Sequence, residues 1–144
     1  VGCGGFKFLE HTADVYFVAE GRTIEEAFCN AARAMFETIT DTSKVDASTC
    51  FDVNDSCYDM FNCVYRWLED LLILHDTHNL VFKDFEFKFL EHGGEDYRFV
   101  GKACGEVFNP DKHIPRTVVK AVTYSLMNVE HVDSCWRIYV VLDI

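Results

Sequence analysis

The sequence predicts an α+β fold, a mainly antiparallel sheet with two helices packed on one side of it. Three observations carry that reading. Two segments repeat apolar residues at helical spacing, roughly seven short runs are β-branched or aromatic, and several connections are of hairpin length. The chain has 144 residues, 49% of them hydrophobic and only 2 of them Pro, so it can bury one substantial core. No sequence-level repeat, low-complexity tract or Pro/Ser-rich linker divides it, and a single domain over residues 6–144 is expected.

Phe6-Lys7-Phe8-Leu9 and Val15-Tyr16-Phe17-Val18-Ala19 read as two strands with His11-Thr12-Ala13-Asp14 between them. Thr23 followed by Glu26 is a capping box, in which each side chain can satisfy the other residue's backbone N–H. Ile24, Ala27, Phe28, Ala31, Met35, Phe36 and Ile39 then form one apolar face, predicting a helix over about residues 23–38. Thr40-Asp41-Thr42-Ser43 has turn composition. A second helix is expected from about Ser56, with Asp59 at the capping-box position, to about His75. Its stripe runs through Met60, Phe61, Val64, Trp67, Leu68, Leu71 and Leu72.

Beyond it the period changes to two: Phe85, Phe87 and Phe89 alternate with Asp84, Glu86 and Lys88. Gly93-Gly94 turns this strand into Tyr97-Arg98-Phe99-Val100 as a hairpin. Strands over residues 118–129 and 136–142 close the chain.

Lys plus Arg total 13 against 24 Asp plus Glu, a formal net charge of −11, which argues against a stand-alone grip on nucleic-acid phosphates. No apolar run reaches the length of a membrane span and no secretory signal opens the chain, so an intracellular location is expected. Val1-Gly2-Cys3-Gly4-Gly5 lacks an initiator Met and reads as a trimmed or engineered leader over residues 1–5. The 7 cysteines are odd in number and never spaced C-x-x-C, and they are expected to be reduced, small buried residues rather than a disulfide framework.

Four positions invite a chemical reading. Lys120 and Tyr124 share a strand face with Val122 between them. The lysine is either an edge-strand gatekeeper that snorkels to water or a fixed cation facing a carboxylate or phosphate. Asp143 ends an apolar strand beside Ile144, whose α-carboxylate would complete a fragment of a hard-cation site if the chain ends there; the alternative is a hydrated terminus. Asp14 at a strand entrance reads by itself as a common turn residue, and Asp41 is an oxygen donor of low specificity. His75 and His78, near Asp76, have a spacing that holds a transition metal on a helical turn, but no third ligand accompanies them. No Walker-type phosphate loop and no G-x-S-x-G elbow occurs.

Leu9-Glu10-His11-Thr12-Ala13-Asp14-Val15 comes first, and Glu25-Glu26-Ala27-Phe28 leading to Met35-Phe36 and Thr40-Asp41 comes second. With Val119-Lys120-Ala121-Val122-Thr123-Tyr124-Ser125 and the closing Val141-Leu142-Asp143-Ile144, this set resembles the archease family. The resemblance spans residues 6–144 in the right order. It implies a fold of two strand-helix-strand-strand units and a non-enzymatic role. Archeases assist the RNA-splicing ligase RtcB of the tRNA ligase complex in forming its guanylate intermediate from GTP, so that tRNA splicing turns over.

The resemblance further implies a divalent cation (Ca²⁺, Mg²⁺ or Mn²⁺) at Asp14 and Asp143, with the Ile144 carboxylate and Asp41 as further members, and Lys120 as the functional lysine. GTP and tRNA would be met through the ligase alone, in cytoplasm or nucleus, with no membrane and no direct nucleic-acid binding. One departure is that animal members usually carry a longer polar leader. Two other functions compete with this one: a metal-dependent enzyme of phosphohydrolase type, and a chaperone-like scaffold domain.

Overall fold

The computed structural model describes residues 3–91 and 94–144 of the chain. The elements follow the order β1 (Phe6–Leu9), β2 (Val15–Gly21), α1 (Ile24–Ile39), a 3-10 turn (Thr42–Lys44), β3 (Thr49–Cys57), α2 (Met60–His78), β4 (Leu80–Leu90), β5 (Tyr97–Val107), β6 (Ala121–Val132) and β7 (Cys135–Asp143). The α+β class holds, with two helices and antiparallel pairing throughout the named strands.

The strands divide into two sheets, ordered β1-β2-β7-β6 and β3-β5-β4, where the sequence reading expected one. Period-two alternation tells which face of a strand is apolar but not which strands pair, so the division was invisible to it. Each sheet contains the same unit. β3-α2-β4-β5 is a strand-helix-strand-strand run whose third strand lies between the other two. β2-α1-β6-β7 repeats that order, with the first unit inserted between α1 and β6. The outer unit is therefore assembled from segments far apart in the sequence.

At α1, Thr23 Oγ1 accepts from the Glu26 N–H at 3.1 Å, as the capping box requires, but Glu26 Oε2 reaches back to the Arg22 N–H at 3.2 Å rather than to Thr23. The start of α2 differs more. Ser56 belongs to β3, and Asp59 is the N-cap itself, accepting from the Asn62 N–H at 2.8 Å. A short oxygen-bearing side chain caps equally well from either position, so Ser56 and Asp59 competed in the sequence. The helix also runs one turn past His75 and stops where Asn79 takes the left-handed conformation, φ 56°.

Strand β3 was not predicted. Thr49-Cys50-Phe51-Asp52-Val53-Asn54-Asp55-Ser56-Cys57 buries only Val53 and Cys57, and its Asp, Asn and Ser residues have low strand propensity; as an edge strand it tolerates them. Strands β6 and β7 are joined by Asp133 and Ser134, both at positive φ, as a two-residue I′ hairpin needs. The turn assigned to Gly93-Gly94 includes Gly93, which lies outside the described residues. Leu90 pairs with Arg98 where the β4–β5 ladder ends.

Helix α1 packs against β2 and β7 of one sheet and β4 of the other, which is why its buried residues exceed one narrow stripe. Phe28 stacks on Phe87 at 4.3 Å and Phe36 meets Phe82 edge-on at 5.2 Å. Fully buried Trp67 of α2 lies against Phe87 and Phe99, and its indole N–H donates to the Phe28 carbonyl at 2.9 Å, which ties the two helices. Gly101 makes room for that ring; a Cβ there would come within 2.5 Å of Trp67 Cζ3.

The cysteine expectation is overturned. Cys3–Cys135, Cys50–Cys104 and Cys57–Cys63 are disulfides, and Cys29 is free, its thiol pushed up to about 11 by burial. Pairing depends on register: Cys50 faces Cys104 directly across β3 and β5, a relation that spacing along the chain does not contain. Cys3 and Gly5, in the expected leader, touch the first sheet through Cys135 and through the Gly5 carbonyl, which accepts from the Glu20 N–H at 2.9 Å.

Candidate functional site

Strand register determines what meets at the open end of the outer unit. Val15 of β2 pairs with Leu142 of β7, so the next residues outward are Asp14 and Asp143. Ala121 of β6 pairs with Asp143, and the Lys120 N–H donates to the Asp143 carbonyl at 2.7 Å. Asp14, Asp143 and Lys120, separated by more than a hundred residues between the first two, thus stand at adjoining ends of three neighbouring strands.

Asp14 is partly exposed and its carboxylate lies 3.9 Å from His11 Nδ1, an arrangement of the H-T-A-D turn itself. The His11 ring meets Tyr16 edge-on, and Tyr16 reaches Tyr139 on β7. Asp143 is exposed beyond the buried Val141 and Leu142. Among the described residues no ion pair joins Asp143 or Lys120 to another side chain.

Lys120 is delivered by a strap, residues 108–120, that crosses the ends of both helices. The Arg116 and Thr117 N–H groups donate to the Ile39 and Thr38 carbonyls at 3.0 and 3.1 Å, satisfying orphan groups of α1's last turn. Arg116 Nη1 pairs with Glu37 at 2.6 Å. Lys120, at the far end of the strap, borders a small cleft, about 130 Å³, with Tyr65, Glu69, Ile73 and Asp76 of α2. Two carboxylates and a tyrosine therefore share the cleft with the lysine. The Tyr65 hydroxyl donates to Glu69, and that bond pushes its pKa up to about 12.

Asp41 turns elsewhere. It caps the 3-10 turn, accepting from the Ser43 N–H at 3.0 Å and the Ser43 hydroxyl at 2.7 Å, with Arg116 at 3.9 Å. Those Ser43 bonds hold its carboxyl below the usual range. His75 Nδ1–H donates to the Leu80 carbonyl at 2.8 Å. Among the described residues, no three His, Cys, Asp or Glu side chains gather as a metal-ligand group. Asp14 and Asp143 are hard oxygen donors of the kind Ca²⁺, Mg²⁺ and Mn²⁺ take, and a cation on them would need carbonyl or water oxygens to complete its shell.

Two acid clusters escaped the sequence reading. At the corresponding end of the inner unit, Glu106 accepts from Lys112 Nζ at 2.7 Å, His113 Nε2 at 2.9 Å and the Asp46 N–H at 2.7 Å. Buried His113 accepts the Asn109 N–H at Nδ1, 2.8 Å, so its proton sits on Nε2 and is given to Glu106. In the second cluster, Asp70 of α2 is hydrogen-bonded to Asp55 of β3. Burial first and that bond second push Asp70 up to about 7. Neither cluster has a spacing signature, because each joins different elements.

The model of the archease protein family (MTH1598/TM1083) matches residues 6–144. The archease of Aeropyrum pernix is 44% identical over 142 residues, covering 99% of each chain, and that of Pyrococcus furiosus is 41% identical over 140 residues, covering 96% of this chain and 98% of that one. The solution structure of Methanobacterium thermoautotrophicum protein 1598 superposes with a TM-score of 0.86 at 38% identity, covering 97% of this chain and 99% of that one. A crystal structure of a Thermotoga maritima archease, described as a possible chaperone, reaches a TM-score of 0.58 at 20% identity over 96% of each chain and shares the fold. The chain belongs to the archease family.

Proposed function

We propose that this protein is a non-enzymatic activator of the RNA-splicing ligase RtcB in tRNA splicing. It stimulates guanylylation of the ligase through a divalent cation held by Asp14 and Asp143, with Lys120 beside it. The observation that supports the reading is the register: β2, β7 and β6 end side by side with two carboxylates and one lysine, of which, among the described residues, only Asp14 has an ion-pair partner, His11 at 3.9 Å. Like charges brought to neighbouring strand ends repel and call for a cation.

The cation supplies charge neutralisation and Lewis acidity toward phosphate oxygens. Asp14 and Asp143 supply its side-chain oxygens, and a chain that ends at Ile144 adds its α-carboxylate. Asp41, which caps the 3-10 turn through Ser43 and meets Arg116, is the less favoured member of the set. Lys120, carried on a strap pinned to α1, presents a localised positive charge to a phosphate or a ligase carboxylate. The excess of 24 acidic over 13 basic residues suits a protein partner that is itself basic enough to hold RNA. No described helix is long and apolar enough to cross a membrane. An RNA-splicing partner implies action inside the cell, where disulfides accompany proteins of some hyperthermophiles.

The test follows guanylylation of the ligase with GTP, with and without this protein. The wild type accelerates turnover at substoichiometric amounts. Lys120→Ala and Asp143→Ala each lose about tenfold or more of that stimulation, about 1.4 kcal/mol of barrier, with unchanged thermal melting. Absence of any acceleration by the wild type contradicts the reading, and nucleotide turnover by the isolated protein would favour an enzyme instead.

A further inference from the structure

An aromatic face adjoins the Lys120 cleft and has a construction of its own. Strand β6 departs from its partner between Thr123 and Asn128: the pairs Thr123↔Val141 and Asn128↔Tyr139 leave four β6 residues opposite one of β7. The excess is pushed outward. Tyr124 and Leu126 are 46% and 56% exposed, and Leu126 sits at φ 53°, a conformation that a branched, non-glycine residue rarely adopts. Strain of this kind, holding an apolar side chain in water at a sheet edge, points to a surface kept for binding.

The first turns of α2 complete the face. The Tyr124 ring stacks on Tyr65 at 4.7 Å, and its hydroxyl takes hydrogen bonds from Asn62 Nδ2 at 3.0 Å and from Tyr58, which is itself 63% exposed. Phe61, four residues before Tyr65 and so on the same side of the helix, is also exposed. Tyr65 lines the Lys120 cleft as well, so this face and the candidate site are continuous.

We propose that this face, centred on Tyr58, Phe61, Tyr124 and Leu126, is the docking surface for an arginine-bearing basic face of a partner protein. That the partner is the RNA ligase rests on the function proposed above. Charge selects the occupant. Asp59 borders Tyr58, Glu69 is bonded to Tyr65, and the only Lys or Arg of α2, Arg66, turns to Asp55 at 3.9 Å. Exposed rings beside carboxylates suit guanidinium groups, which stack on aromatic faces and pair bidentately with acids. Nucleic-acid phosphates meet a chain of net charge −11 there.

The experiment measures the affinity of the full chain for the ligase by biolayer interferometry, as wild type, Leu126→Asp, Leu126→Asn, Tyr58→Ala and Lys120→Ala. Asp and Asn both tolerate the left-handed backbone at residue 126, and unchanged melting curves confirm that the fold is kept. Leu126→Asn and Tyr58→Ala each weaken binding about tenfold, Leu126→Asp weakens it less than Leu126→Asn because its carboxylate is drawn to the basic face, and raised salt weakens the wild type. Lys120→Ala loses activation and weakens binding less than Tyr58→Ala does. Equal affinity of Leu126→Asn, Tyr58→Ala and wild type overturns the docking surface and leaves the proposed function standing. No binding by the wild type overturns both, and binding of an oligouridylate that Tyr58→Ala abolishes would make the face a nucleic-acid surface instead.

Discussion

The inner and outer units share one strand order yet treat acidity at the same end in opposite ways. At the inner end, Glu106 is surrounded by Lys112, His113 and the Asp46 amide, and these hold its carboxyl down to about 2, the Asp46 bond contributing most. At the outer end, Asp14 and Asp143 stand beside Lys120 with only His11 at 3.9 Å from Asp14. The two ends even close alike: the Phe108 N–H donates to the Asn79 carbonyl at 2.7 Å as the Lys120 N–H does to Asp143. Topology therefore supplies the scaffold and the residues at strand ends decide its use. The inner unit neutralises its acids internally, and the outer unit leaves Asp143 without an ion-pair partner among the described residues.

The inner unit also carries the densest aromatic packing, which gives the first way to sharpen the comparison. Trp67→Ala should cost about 3–5 kcal/mol, read by chemical denaturation. Phe28 of α1 still stacks on Phe87 of β4 when Trp67 is removed, so the variant should still unfold in a single transition. Two separated transitions would show that the units are energetically independent. Next, Cys50→Ser with Cys104→Ser opens a crosslink across 54 residues and should cost about 4 kcal/mol on the loop-entropy account, and reduction of the wild type, which also opens Cys3–Cys135 and Cys57–Cys63, should cost more.

A smaller effect concerns the shared proton of Asp70 and Asp55. A carboxyl raised to about 7 stays protonated in the fold after the unfolded chain has released its proton, so stability declines as pH climbs from about 4 to about 7 and remains lower above. Asp70→Asn should raise the melting temperature at about pH 8 and leave it nearly unchanged near pH 3.5. The smallest effect belongs to partly exposed Glu106, whose lowered carboxyl has the opposite sign. Its contribution is present above about 4.5 and lost as pH falls toward 2, so Glu106→Gln should flatten only the acid limb of the melting profile.

Legibility in the sequence followed the same division. Both helices were readable because Thr23, Asp59 and the apolar spacing are local signals, and β4 because Phe85, Phe87 and Phe89 alternate strictly. Strand β3, the division into two sheets and the Cys3–Cys135 and Cys50–Cys104 disulfides depend on pairing between distant segments, which no local pattern encodes. The candidate site is of that second kind. Asp14 alone is a turn residue and Lys120 alone an edge lysine; the family resemblance singled them out, and the register of β2, β7 and β6 supplies the physical reason they can act together.

The most direct test of that claim is Mn²⁺ titration followed by paramagnetic broadening of backbone amide signals. A cation held by the outer unit broadens signals around Asp14, Lys120 and Asp143, and Asp143→Asn removes the effect. Broadening centred on Asp46 and Glu106, or spread evenly over the acidic surface, would contradict it.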